Sequence, residues 1–300
     1  MNEFVQPLSD EFKDIYFIKG ARNGRYPFSH SLLIEDYLID TGISSRLIRK
    51  LKREFQINNV LISHWHEDHV HGNRLLRDAK FFIHKEDKFL IENVDKFNEY
   101  YGVSDTNAEE SFAWLMESLR YENTKIEKTL EDNEVIKIGT NYELKVLHTP
   151  GHTAGHCAFY ELNSKIVFLA DIDLTSFVFY AGIDSNLIDF ERSIEELKDL
   201  EIEIAVTGHR GVMRGAEEIK RGLDKYKSII DKNDQRILSY FSETKPITVI
   251  DFKNRNIIYK YYSDFKEYEI VAEMIMVQKH FDKFLEFEII QPKDNGFILS

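Results

Sequence analysis

The sequence predicts an α+β fold: a mixed domain of short strands and helices over residues 1–224, then a small, mostly helical module over 225–300. Three observations predict it. Through the first two-thirds of the chain, short apolar runs bounded by Gly, Asn, Asp or Pro alternate with stretches whose apolar residues recur at helical spacing. After Ala216 the strand signals fade and long helical stripes take over. Histidines and aspartates gather where the apolar runs end: at His64–His71, around His152, at Asp171 and at His209.

Taken in order, Ile15-Tyr16-Phe17-Ile18, Leu32-Leu33-Ile34 and Tyr37-Leu38-Ile39 read as strands, parted by turn signals at Gly20, Asn23-Gly24 and Glu35-Asp36. Asp40-Thr41-Gly42 closes the third. Ser44 or Ser45 caps a helix whose apolar face is Leu47, Ile48, Leu51 and Phe55. Val60-Leu61-Ile62 is a short buried strand, followed by a short helix at Leu75-Leu76 and a strand at Phe81-Phe82-Ile83. Residues 86–125 break the alternation. There Thr106-Asn107-Ala108-Glu109 fits a capping box, and Phe112, Leu115, Met116 and Leu119 form one stripe, with Trp114, Tyr100 and Tyr101 off it. This segment reads either as a helix packed flat on the domain or as a lid with an aromatic wall.

Strands return at Val135–Ile138 and Leu144–Leu147, and Cys157–Tyr160 and Ile166–Leu169 flank a hairpin turn at Asn163-Ser164. A helix around Ile194 to Leu200 leads to a strand at Ile202–Val206. In the tail, Ile219, Leu223, Tyr226 and Ile230 make a helical stripe, continued by Ile237, Leu238 and Phe241. A second helix spans Ile270 to Phe287, and Pro292–Gly296 reads as a β-turn.

A net charge of −13 argues against sequence-independent nucleic-acid binding, which needs basic surface to displace counterions. The single cysteine, Cys157, excludes an internal disulfide framework and fits a reducing compartment. The first residues lack the basic and apolar regions of a signal peptide, and no apolar run is long enough for a membrane span. A cytoplasmic protein without membrane partners is expected. The oligomeric state is left open, a homodimer included.

The chemistry concentrates in His64-Trp65-His66-Glu67-Asp68-His69. Crowding imidazoles and carboxylates together is unfavourable unless a cation lies among them. The spacing His-x-His-x-Asp-His, followed in order by His152 after Pro150-Gly151, by Asp171 and by His209, resembles the metallo-β-lactamase superfamily over most of the first 215 residues. That resemblance implies an αββα sandwich, with two face-to-face sheets, helices outside, and metals at one edge where strand ends converge. It implies two Zn2+ ions, with iron or manganese as alternatives. His64, His66 and His152 would bind one ion, Asp68, His69 and His209 the other, and Asp171 both. Asp40, otherwise a turn residue, would support the ligands from behind. Asp68 would also be catalytic, taking up a proton. The reaction implied is hydrolysis of a small ester, thioester or lactone by a hydroxide held between the ions, in the manner of glyoxalase II rather than a β-lactamase. The tail resembles the winged-helix-like module behind the metal domain of some members. The same resemblance leaves two alternatives, a single-strand endoribonuclease and a persulfide dioxygenase with one iron at His64, His152 and Asp171.

Other residues carry paired expectations. His156 either supports His152 or substrate, or is a satisfied core histidine. His71 extends the polar wall of the site where relatives have a small residue, and Ala170 replaces a common glycine. His148, His84 and His30 read as structural, and Cys157 as an inert buried thiol. Phe177, Phe179, Tyr180 and Arg210 either line the substrate entrance or pack into the core.

Overall fold

Period-two alternation sorts the strand residues into three apolar layers in the computed structural model, which describes residues 3–300. The first sheet runs in sequence order: β1 (Val5–Pro7), β2 (Ile15–Ile18), β3 (Ser31–Ile34), β4 (Tyr37–Ile39), β5 (Asn59–Leu61), β6 (Lys80–His84) and β7 (Lys128–Leu130). Its early strands pair antiparallel, and β4 to β7 are parallel. The second sheet contains β8 (Val135–Ile138), β9 (Tyr142–His148), β10 (Cys157–Glu161), β11 (Ile166–Phe168), β12 (Ile204–Val206) and β13 (Val212–Arg214), again in order. There only β11 and β12 are parallel.

Leu32, Ile34, Ile39 and Leu61 of the first sheet meet Phe159, Phe168 and Val206 of the second in the central layer. Their neighbours point outward. Leu33, Leu38 and Val60 pack under α1 (Ser45–Glu54), the short α2 (Glu67–Val70), α3 (Lys85–Glu92), α4 (Phe97–Tyr100) and α5 (Glu109–Leu119). On the far side Ala158, Val167 and Ala205 pack under α6 (Leu187–Lys198), α7 (Ala216–Leu238) and α8 (Lys266–Glu286). The layers are therefore αββα, as the resemblance implies.

Local chemistry accounts for most boundaries. Ser44 caps α1 by accepting from the Leu47 amide, and the Asn186 side chain caps α6 through Ile188 and Asp189. The predicted capping box at Thr106 is not used. Thr106 Oγ1 accepts instead from the Ala108 amide in a tight turn, and α5 begins at Glu109. Strands β1, β7 and β13 have no counterpart in the sequence reading. Each is three residues long, too short for a periodic signal.

The tail does not sit apart. The boundary expected after residue 224 falls inside α7, and Ile230, Ile237, Met276, Phe281 and Phe284 share one core with Val167 and Leu169 of the second sheet. A buried polar contact reinforces it: His280 lies between the Tyr180 hydroxyl (2.8 Å) and Asp234 (2.6 Å). Lys283 bridges Asp234 (2.7 Å) and Glu191 (2.5 Å), tying α8 to both α7 and α6. The predicted β-turn joins a terminal hairpin of β14 (Ile290–Lys293) and β15 (Gly296–Leu299). No helix among the described residues is long and apolar enough to cross a membrane.

Candidate metal centre

The parallel arrangement of β4, β5 and β6 turns their carboxyl ends the same way, and the ends of β11 and β12 face them across the sandwich. His64, His66, Asp68 and His69 follow β5, His152 follows β9, Asp171 follows β11, and His209 follows β12. All seven candidate residues meet. Ligand-type atoms of His64, His66, His152 and Asp171 lie within 4.8 Å of one another, as do those of Asp68, His69 and His209. Asp171 spans the two groups, with Oδ2 3.2 Å from His152 Nε2 and Oδ1 2.8 Å from His69 Nε2 and 3.4 Å from His209 Nε2. Two glycines permit this closeness. A Cβ on Gly42 would lie 1.5 Å from the Asp68 carbonyl oxygen, and one on Gly208 would lie 2.9 Å from Asp171 Oδ1.

The outer bonds of the rings decide what their inner atoms present. His152 Nδ1 donates to the Phe179 carbonyl (2.8 Å) and His209 Nδ1 to that of Gly24 (2.7 Å). His69 Nδ1 donates to Asp40 Oδ2 (2.6 Å). Ser63 Oγ donates to the same carboxylate oxygen (2.6 Å), which leaves Ser63 to accept from His64 Nδ1 (2.9 Å). In the neutral tautomer selected by these bonds, all four Nε2 atoms carry lone pairs. Those of His64 and His152, together with His66 Nδ1, converge at 2.8–3.2 Å. His69 Nε2 and Asp171 Oδ1 are buried without a hydrogen-bond partner although they lie 2.8 Å apart. Converging ring nitrogens and carboxylates fit divalent cations, and the nitrogen–oxygen donor set without thiolate suits zinc, iron or manganese.

Electrostatics separate the two groups. Burial holds His64 and His66 well below the ordinary imidazole range, so they stay neutral. Burial acts the same way on His209, but Asp171 and Asp68 outweigh it and push it up to about 10. In His69, likewise, Asp171, Asp68 and Asp40 overcome the effect of burial and raise the value. Asp171 is held well below the carboxylate range by His69, His209 and His152 despite burial, whereas burial raises Asp68. The centre is thus a concentration of negative charge that protons on two rings, or cations, must balance.

Asp40 takes the supporting position that the resemblance implies, at a left-handed φ of 61°. The sequence reading missed its partner Ser63, which the motif's first position hides. It also missed Asp87, whose carboxylate accepts from the Trp65 amide (3.1 Å), Thr153 Oγ1 (2.8 Å) and the Gly155 amide (2.6 Å), locking two ligand loops together. Its position at the start of α3 offers no motif by which to find it. His156 supports Asp171 rather than His152, since its Nε2 accepts from the Asp171 amide (3.3 Å). His71 is buried, bonded to the Glu67 carbonyl and turned away from the cavity, and so extends no wall. His84 and His148 stack on each other, His30 accepts from the Gly20 amide, and burial raises the Cys157 thiol; all four are structural.

A cavity of about 480 Å³ opens above the cluster. His66, Asp68, Asp171 and His209 form its floor, and Phe177 and Phe179 line it as expected. Tyr180 is instead buried on His280, and Arg210 is occupied by the Leu174 carbonyl. Of the three aromatics that the lid reading names, Tyr101 lines the cavity, joined by Leu115, and Tyr100 and Trp114 do not. Trp114 is 65% exposed, because α5 turns Phe112 and Leu115 inward and leaves Trp114 on its outer side. The remaining roof comes from the tail, through Tyr259, Phe265 and Tyr268. Glu67 holds the roof to the floor, its buried carboxylate accepting from the Tyr26 (2.6 Å) and Tyr101 (2.5 Å) hydroxyls.

An αββα sandwich with this His/Asp cluster at its strand ends defines a class of metal-site proteins. The family model of the metallo-beta-lactamase superfamily matches residues 27–209, and the chain belongs to that superfamily. Members bind a dinuclear metal site, usually zinc. Among curated relatives, the chain is 28% identical over 158 residues to the hydroxyacylglutathione hydrolase GloC of Haemophilus influenzae, covering 50% of this chain and 63% of that one. It is 26% identical over 214 residues to the human acyl-coenzyme A thioesterase MBLAC2, covering 65% and 75%. A beta-lactamase domain protein from Burkholderia ambifaria superposes with a TM-score of 0.71 at 14% identity, over 99% of this chain and 93% of that one. The likeness of fold therefore extends through the tail.

Proposed function

We propose that the chain is a metal-dependent hydrolase that cleaves a small ester, thioester or lactone. The observation that carries this reading is the set of inward-facing ring nitrogens gathered around Asp171, at the floor of an aromatic-walled cavity. His64, His66, His152 and Asp171 would hold one divalent ion, and Asp68, His69, His209 and Asp171 a second. When bound, such a pair supplies Lewis acidity towards an acyl oxygen and makes nearby water more acidic.

The chain's own residues do the rest. Asp40, through its bonds to His69 and Ser63, keeps the rings oriented and turns their Nε2 atoms inward. Asp68, with Oδ2 3.3 Å from His209 Nε2 and its carboxylate on the cavity floor, accepts a proton from the attacking water. The water oxygen joins the acyl carbon, the C–O or C–S bond breaks, and the leaving group departs with that proton. The aromatic roof excludes bulk water and positions the acyl group. The named activities of the two relatives, both thioester hydrolyses, support the reaction type.

Elemental analysis of protein purified without chelator should find about two transition-metal ions per chain. The loaded protein should turn over members of a panel of neutral esters, thioesters and lactones, and Asp68→Asn should not. Cleavage of single-stranded RNA that vanishes in Asp68→Asn, without acyl turnover, would overturn this reading in favour of a nuclease. One firmly bound iron and no second ion would favour the dioxygenase.

A further inference from the structure

The cavity walls bear on the substrate itself. Coenzyme A and glutathione carry several negative charges, which a protein recognises with Arg, Lys or backbone donors. Among the described residues, Arg25 is the one Arg or Lys lining this cavity, and it is exposed. Beyond the floor cluster the ionised groups are acidic: Asp173 near Asp171, and Glu269, whose carboxylate accepts from Ser263 Oγ (2.7 Å) and stays on the roof. The rest is aromatic. Phe179 lies 6.0 Å from both His66 and His152, and Phe177 packs on Tyr259 at 4.9 Å, extending the apolar surface outward into the tail. Tyr101 and Tyr268 face each other at 6.1 Å on the roof. An anionic carrier seated here would lose its hydration against rings and carboxylates, with one exposed guanidinium in return.

Resting on the hydrolase reading, we infer that the substrate is an ester, thioester or lactone with an aromatic or extended apolar acyl part and no anionic group on its leaving half, so that coenzyme A and glutathione thioesters are excluded. The apolar part lies between Phe177–Tyr259 and Tyr101–Tyr268, and the scissile carbonyl is directed at the floor. The reaction is unchanged: water adds to the acyl carbon, the bond to oxygen or sulfur breaks, and the leaving group takes the proton.

The test uses the metal-loaded full chain and one arylacyl group attached in turn to a neutral alcohol, to N-acetylcysteamine, to coenzyme A and to glutathione. The neutral pair should exceed both anionic thioesters in kcat/KM by at least about tenfold. Tyr259→Ala should raise KM for the neutral substrates by roughly tenfold with little change in kcat, because it removes uniform binding. Glu269→Lys should improve the anionic thioesters relative to the neutral ones. Anionic thioesters that equal or surpass the neutral ones overturn this inference and leave the hydrolase reading standing. If nothing is hydrolysed, the hydrolase reading fails, and calorimetry of a neutral aryl ketone and of free coenzyme A on the same protein still decides. Ketone binding that weakens in Tyr259→Ala supports the apolar slot, while absent ketone binding or tighter coenzyme A binding overturns it.

Discussion

The floor of the cavity is assembled by strand ends whose side chains are buried, bonded and few, whereas its roof is assembled by aromatic side chains from two distant segments packed over it. On the floor, most ligand-type atoms have an outer partner that dictates the inner one, as Asp40 and Ser63 do for His69 and His64. The roof has polar tethers behind it, Glu67 with its two tyrosine hydroxyls and buried Glu273 with the Ile258 and Tyr259 amides, but the surface it turns to the cavity is mostly aromatic. Polar bonds fix atoms to a few tenths of an ångström, and apolar packing fixes volume. On the proposed reading, the metal chemistry belongs to the floor and the selection of substrate to the roof.

Removing the roof's support is the harshest way to test that division. Truncation after residue 224 deletes Ile230, Ile237, Met276, Phe281 and Phe284 from the core of the second sheet. Each buried side chain of this size contributes roughly 1.5–3 kcal/mol, against a total stability of roughly 5–15 kcal/mol for a typical domain. We expect an insoluble chain, or one without a cooperative thermal transition by calorimetry. A soluble, metal-binding fragment of residues 1–224 would instead make the tail a separate module.

Asp68→Asn tests the floor alone. It should reduce turnover by at least about a hundredfold, while the melting temperature moves by no more than a few degrees, because the carboxylate faces the cavity and not the core. Loss of the cooperative transition would make Asp68 structural.

One shell further out, Asp40→Asn should weaken metal binding by about 10–100-fold, read by competition with a chromophoric chelator. Asp40 Oδ2 receives both the His69 ring and the Ser63 hydroxyl, and an amide offers only one oxygen in total. Asn tolerates the left-handed backbone at this position, so the loss would report the bond and not strain. Unchanged affinity would mean that packing alone orients the ring.

The same division explains what the sequence disclosed. The floor is legible because metal chemistry restricts residue type and spacing: His64, His66, Asp68 and His69 must cluster, and the distant ligands must end strands. The strands are legible but their layering is not: Leu32-Leu33-Ile34 is an unbroken apolar run buried on both faces, so it marks a strand without saying which residue meets which layer. The roof is not legible, since Tyr259 and Tyr268 look like any aromatics in a helical tail until the fold brings them over residues some 200 positions earlier in the chain. Nor is Asp87, whose role lies wholly in the backbone amides it collects. The tail looked detachable because helical stripes report an apolar face without naming what covers it.

The mildest prediction concerns the one segment in which sequence and structure divide the roof differently. From sequence Trp114 reads either as a half-covered residue of a helix packed flat on the domain or as part of an aromatic lid. In α5, however, Phe112 and Leu115 occupy the inward stripe, and Trp114 lies two residues from the first of them, on the opposite side of the helix. Its side chain is largely exposed and does not line the cavity. Trp114→Ala should accordingly leave KM within about twofold and stability within about 0.5 kcal/mol, the range of ordinary surface changes. Tyr101→Phe, a smaller chemical change in the same segment, should act more strongly. It strips the buried Glu67 carboxylate of one of its two hydroxyl donors, a loss of roughly 1–3 kcal/mol. Equal effects of the two variants, or a rise in KM confined to Trp114→Ala, would mean that α5 rolls inward over the cavity during turnover, and the division between rigid floor and packed roof would then need a moving part.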